Sequence, residues 1–84
     1  MINDLAIFLK ENLNKKINVI ELDKFINKII KEEGYEETVE NIEGNLFRTT
    51  LLTKKGKVIT LDYIPNVFNE TIMIKNVRLY LENI

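Results

Sequence analysis

Cysteine, histidine and serine are all missing from this 84-residue chain. Without cysteine there are no disulfides, no thiolate chemistry and no Cys-based metal site, which fits a reducing compartment. Losing histidine removes the commonest general base, the commonest metal ligand and the physiological pH switch together. No Ser-His-Asp or Cys-His arrangement can be built, so those routes of nucleophilic catalysis are excluded. Glycine occurs three times, and Gly34, Gly44 and Gly56 each fall where a cap or a turn is expected, leaving no glycine-rich phosphate loop. No apolar run approaches the roughly 18 residues of a membrane span. Met1–Leu9 is apolar, but Asp4 interrupts it and no basic leader or small-residue cleavage site follows, so a cytoplasmic location without a targeting signal is expected.

Charge is present and unevenly distributed. The chain is nearly neutral, with 12 basic and 13 acidic residues. From Glu32 to Glu43, however, there are six glutamates (Glu32, Glu33, Glu36, Glu37, Glu40 and Glu43) and no Lys or Arg. Residues 1–43 carry a net −4 and residues 44–84 a net +3. Such an asymmetry points to a binding surface. Ile, Lys and Asn make up 34 of the 84 residues, a bias of AT-rich genomes that suggests a bacterium or one of its phages or mobile elements.

Periodicity divides the chain into a helical third and an extended remainder. Ile2, Leu5, Ala6, Leu9 and Leu13 lie on one helical face, widened by Phe8, and predict a helix over 3–13 with Asn3 as its cap. Asn18 with Glu21 makes a capping-box variant, and Ile17 with Leu22 a hydrophobic staple. Leu22, Phe25, Ile26, Ile29 and Ile30 continue as an apolar stripe, and Gly34 stands where a left-handed cap would end it, so the second helix spans 19–33.

From Tyr35 onward Thr, Val, Ile, Leu and aromatics dominate, predicting strands over about 35–42, 46–53, 57–64 and 71–82. A three-residue loop Lys54-Lys55-Gly56 pairs Leu51 with Ile59 and Arg48 with Asp62. The same loop length at Glu43-Gly44-Asn45 pairs Ile42 with Leu46 and Glu40 with Arg48. Pro65 should end the third strand. The apolar alternation changes phase after Ile74, so a bulge near Lys75-Asn76 is needed to keep one face apolar; a C-terminal helix through Val77, Tyr80, Leu81 and Ile84 is the competing reading. The expected fold is α+β: two N-terminal helices packed on one face of a three- or four-stranded antiparallel β-meander in a single domain.

In this frame the glutamates have three readings. They are a solvated edge that discourages aggregation, a docking surface for a basic protein partner whose surface suits nucleic acid, or a metal site, for which no Gly-turned acidic loop exists. Neither a metal nor another cofactor is expected. Lys54, Lys55 and Lys57 at a hairpin tip are candidates for phosphate contact, but the near-neutral balance and the lack of a basic recognition helix argue against nucleic acid. Glu40, Arg48 and Asp62 would form a cross-strand charge triplet, structural rather than catalytic. The outward face also carries apolar rungs, Ile42, Leu46 and Ile64 at one end and Leu52 and Val58 at the other, which suggests self-association as a homodimer. The expectation is a non-enzymatic protein-binding module, an inhibitor or adaptor, with a self-associating structural or connector subunit as the alternative.

Overall fold

The apolar stripe of the first segment folds into helix α1, Ile2–Glu11, which buries Leu5, Ala6 and Leu9. The computed structural model describes residues 2–33 and 35–81. Asn3 lies inside α1 rather than capping it. The helix stops two residues earlier than its periodicity predicts. The Asn12 side-chain amide donates to the Phe8 carbonyl at 2.7 Å, and Asn14 adopts a left-handed φ of 63° that reverses the chain. Leu13 therefore leaves the apolar stripe and is exposed.

A strand that periodicity does not announce follows, β1, Lys16–Asn18. Helix α2 then runs over Val19–Glu33, as its stripe and cap require. The Asn18 side-chain oxygen accepts from the Ile20 amide at 2.7 Å, satisfying one of the free amides of the first turn. Phe8 of α1 stacks on Phe25 of α2 with ring centroids 4.9 Å apart. Gly34, the expected cap, and Ile84 lie outside the described residues.

Four more strands complete the sheet: β2 Tyr35–Glu43, β3 Leu46–Thr53, β4 Lys57–Asn66 and β5 Thr71–Leu81. All pairings are antiparallel and the order is β1-β5-β4-β3-β2. Among the described residues the sheet thus has five strands, not three or four. Ile17 of β1 pairs with Ile72 of β5 and is buried. The short strand seals that edge, helped by the Asn14 amide donating to the Ile74 carbonyl at 2.7 Å.

The two hairpin registers agree with the charge and apolar matching, apart from one turn. Arg48 pairs with Asp62, Leu51 with Ile59, Glu40 with Arg48 and Thr38 with Thr50. At the β2–β3 turn, however, Glu43 rather than Ile42 faces Leu46, and a bulge falls between Asn41 and Glu43. The loop is shortened to Gly44-Asn45, with Gly44 at φ 54°, so the extra residue is absorbed in the strand. The β3–β4 loop is as expected, with Gly56 at φ 82° and Thr53 Oγ1 both accepting from the Lys57 amide at 3.1 Å and donating to its carbonyl at 3.2 Å.

Between β4 and β5 the register shifts so that Asp62 pairs with Asn76 and Tyr63 with Ile74, leaving Lys75 as the bulged residue. This brings Ile72, Ile74, Val77 and Leu79 to one face, where they join Leu51, Ile59 and Leu61 beneath the helices. The last described segment is a strand, not a helix. β4 continues past Pro65 to Asn66. Pairing with β3 has already stopped at Tyr63, so one flank of β4 is open there and tolerates a residue without an N–H.

Candidate functional site

The helices cover the β1, β5 and β4 side of the sheet and stop short of β2. Every described side chain of β2, from Glu36 to Glu43, is exposed. Among the described residues this strand pairs only with β3, so its second edge presents a row of unpaired backbone donors and acceptors. Edge strands of this length and exposure are templates for a further strand.

Alternation splits the glutamates between two faces. Glu36 and Glu40 are on the face away from the helices, in line with Leu52 and Arg48. Glu37 is on the helix side, where it lines a groove of about 270 Å³ with Val39 and Thr49 of the sheet and Leu22, Asp23 and Ile26 of α2. Tyr63 and Leu61 floor this groove; Tyr63 is fixed by stacking on Phe47 at 6.3 Å and by its hydroxyl 3.0 Å from Thr49 Oγ1. Val39 is the exposed apolar residue at the groove's open side. The structure therefore joins three features along one edge: free backbone groups, carboxylates on both faces, and an apolar groove bordered by Asp23. Periodicity could not reveal the groove, because it arises from where α2 stops on the sheet.

Glu43 stands at the β2–β3 turn and Glu32 is exposed at the end of α2, while the side chain of Glu33 lies outside what is described. Among the described residues no three acidic side chains converge as a metal cage would need.

The triplet resolves into a pair plus a neighbour. Arg48 donates from Nε to Asp62 Oδ1 at 2.7 Å and from Nη2 to Oδ2 at 3.1 Å, a bidentate fork. Hydrogen bonding from Arg48, then its charge and that of Arg78, hold the Asp62 carboxyl below its ordinary value against the opposing effect of burial. Arg48 is correspondingly raised, first by the hydrogen bond to Asp62. Glu40 acts on Arg48 only through its charge. Glu40 is therefore not neutralised by direct pairing and remains an exposed carboxylate on the β2 edge.

The other sequence-derived candidates separate. Lys54 and Lys55 are exposed at their hairpin tip, and Lys57 is half-buried in β4. Of the outward apolar rungs, Ile42 is exposed and Leu46, Leu52 and Ile64 are half-buried. Val58 is only 5% exposed, lying between Leu52 on one side and Tyr80 on the other. It is a packed residue, not an open contact.

The β4–β5 turn, between the strands expected over 57–64 and 71–82, carries a further feature. Val67 is 79% exposed and Phe68 94% exposed. Asn66 Oδ1 accepts from the Phe68 and Asn69 amides at 3.1 and 3.3 Å, and Val19 donates its amide to the Glu70 carbonyl at 3.0 Å. The tip is thus tied down while its apolar side chains are presented to solvent. A Val-Phe pair between two strands was the available signal.

Among the described residues no helix is long and apolar enough to cross a membrane. Compared with known proteins, the chain matches no family model, no curated protein and no solved structure.

Proposed function

We propose that this chain is a small non-enzymatic protein-binding module whose β2 edge receives an extended basic segment of a protein partner as a sixth strand. The observation that carries this reading is the edge itself: a nine-residue strand with one unpaired side and every described side chain exposed. Main-chain hydrogen bonds supply affinity in such pairing and alternate side chains supply selectivity. Glu36 and Glu40 on one face, with Glu37 and Asp23 bordering the groove on the other, favour Lys or Arg on the incoming strand. An apolar side chain on the helix side would enter the groove beside Val39, Leu22 and Ile26.

The partner's basic character suits a surface that otherwise meets nucleic acid, so the module would act as an inhibitor or adaptor. The Ile-, Lys- and Asn-rich composition fits a phage or mobile element.

The probe is a synthetic peptide of alternating Lys and Val, compared with the same peptide N-methylated along one backbone edge. Fluorescence anisotropy should show the plain peptide binding, weakening as salt rises from 50 to 300 mM. Backbone methylation, or the triple change Glu36→Lys, Glu37→Lys and Glu40→Lys, should each weaken binding at least tenfold. Equal binding of both peptides, or affinity indifferent to salt and to charge reversal, would overturn the proposal.

A further inference from the structure

The face of the sheet turned away from the helices has no element over it among the described residues, and its layout is self-complementary. Following the registers, its rows read Glu36, Leu52, Val58, Tyr80; then Thr38, Thr50, Thr60, Arg78; then Glu40, Arg48, Asp62, Asn76; beyond the last β3–β4 pair come Leu46 on β3 and the pair Ile64–Met73. Acidic side chains occupy its β2 margin, Arg78 its β5 margin, and the bidentate Arg48–Asp62 pair its centre. The Phe68 knob stands at one end, beside a hollow of about 460 Å³ that Ile64, Met73 and Asn45 line with it. Val67 borders both this hollow and a second one on the α2 side next to Ile20.

We infer that this face binds a second copy of the chain, with a two-fold axis running along the strands and Phe68 of each copy closing over the other. Charge selects the axis. A two-fold across the strands would stack β2 on β2 and oppose like carboxylates, which is unfavourable. A two-fold along the strands lays β2 of each copy over β5 of the other. Glu40 then faces Asn76, one row from Arg78, and each acidic margin meets a basic one. The same rotation keeps both Phe68 tips at one end of the assembly and carries each across to the β2–β3 turn of the other copy. There Ile42 is exposed and Leu46 half-buried.

Area selects the occupant. Four strands about 4.8 Å apart and about eight residues of 3.3 Å each give a face of roughly 500 Å², below the roughly 800 Å² per partner of a stable interface. Phe68 and Val67, exposed as they are, add about 200–300 Å². The tips thus bring a sheet-on-sheet contact up to the standard size. The arrangement is isologous and closed, and it leaves both β2 edges open on opposite sides, so the dimer would present two docking strands.

Sedimentation equilibrium of the full chain from 1 to 100 μM tests the inference. The expected species is a dimer of twice the 9.9 kDa chain mass. Phe68→Asp, on a tip that contributes nothing to the core, should weaken the dimer at least tenfold with an unchanged melting temperature at low concentration. Arg78→Glu should weaken it similarly, and Arg78→Glu combined with Glu40→Arg should restore it. A strict monomer at 100 μM, or a dimer indifferent to both single changes, overturns the inference. Peptide binding by the Phe68→Asp protein reads the β2 edge separately, so failure of one idea is distinguishable from failure of the other.

Discussion

Replacing Asp62 by Asn should destabilise the fold by about 1–2 kcal/mol at pH 7, and the loss should disappear in acid. The magnitude comes from the geometry of the pair. Asp62 accepts two bonds from Arg48, at 2.7 and 3.1 Å, with its side chain 12% exposed and that of Arg48 33% exposed. Charged hydrogen bonds contribute about 1.5–3 kcal/mol when well shielded, and fully exposed pairs only about 0–1 kcal/mol. This pair is shielded on the carboxylate side only, and Asn keeps one acceptor, so the cost falls between these limits. For a domain of this size each kcal/mol lowers the melting temperature by about 4–8 °C, giving a drop of roughly 5–15 °C. Total stability is on the order of 4–13 kcal/mol, so the variant remains folded and measurable.

The sign of the pH dependence follows from the depressed carboxyl. Asp62 titrates below its ordinary value of 3.8 in the folded chain. Its stabilisation is therefore complete above the unfolded value and is lost as pH falls through the lower, folded value. Urea titrations of wild type and Asp62→Asn from pH 7 to pH 2.5 should show a constant gap down to about pH 5. Below about pH 4 the gap should close. A variant within 0.3 kcal/mol of wild type at pH 7, or a gap that persists undiminished to pH 2.5, would refute the reasoning.

Two further outcomes test the packing. Ile74→Ala, which empties a fully buried site beneath the helices, should cost about 2–5 kcal/mol in urea unfolding, whereas Leu13→Ala, beyond the end of α1, should cost less than about 0.5 kcal/mol. Thr53→Val removes both hairpin bonds to Lys57 and should lower stability by about 1–2 kcal/mol at nearly constant volume, read by the same titration.

Much of the architecture was legible because it is written in local chemistry. Asn18 caps α2 where the Asn-x-x-Glu spacing places it. Gly56 and the apolar matches around it set the β3–β4 register. The change of apolar phase after Ile74 required the bulge that the structure places at Lys75, since only an extra residue can return Val77 and Leu79 to the face of Ile72. Less legible were features whose cause lies elsewhere in the chain. Lys16–Asn18 is too short to show a period, and it becomes a strand only because β5 offers Ile72 and Met73 beside it. Ile42 and Leu46 looked like partners, but the two-residue turn at Gly44-Asn45 displaced the pairing. Leu13 matched the helical face, yet Asn12 and Asn14 had already ended the helix.

The candidate site divides along the same line. Sequence alone determined that the chain is α+β, that Glu32–Glu43 is one-sided in charge, and that Arg48 would stand between two carboxylates, because residue type, period and turn chemistry act over a few neighbours. Tertiary structure alone decided which of those carboxylates Arg48 takes: Asp62 on β4 accepts two of its N–H groups, and Glu40 on β2 acts on it through charge alone. It likewise decided that α2 stops short of β2, opening a groove beside Val39, and that Phe68 is fixed yet uncovered. Those outcomes depend on how far apart whole elements settle when the core closes, which no local pattern encodes.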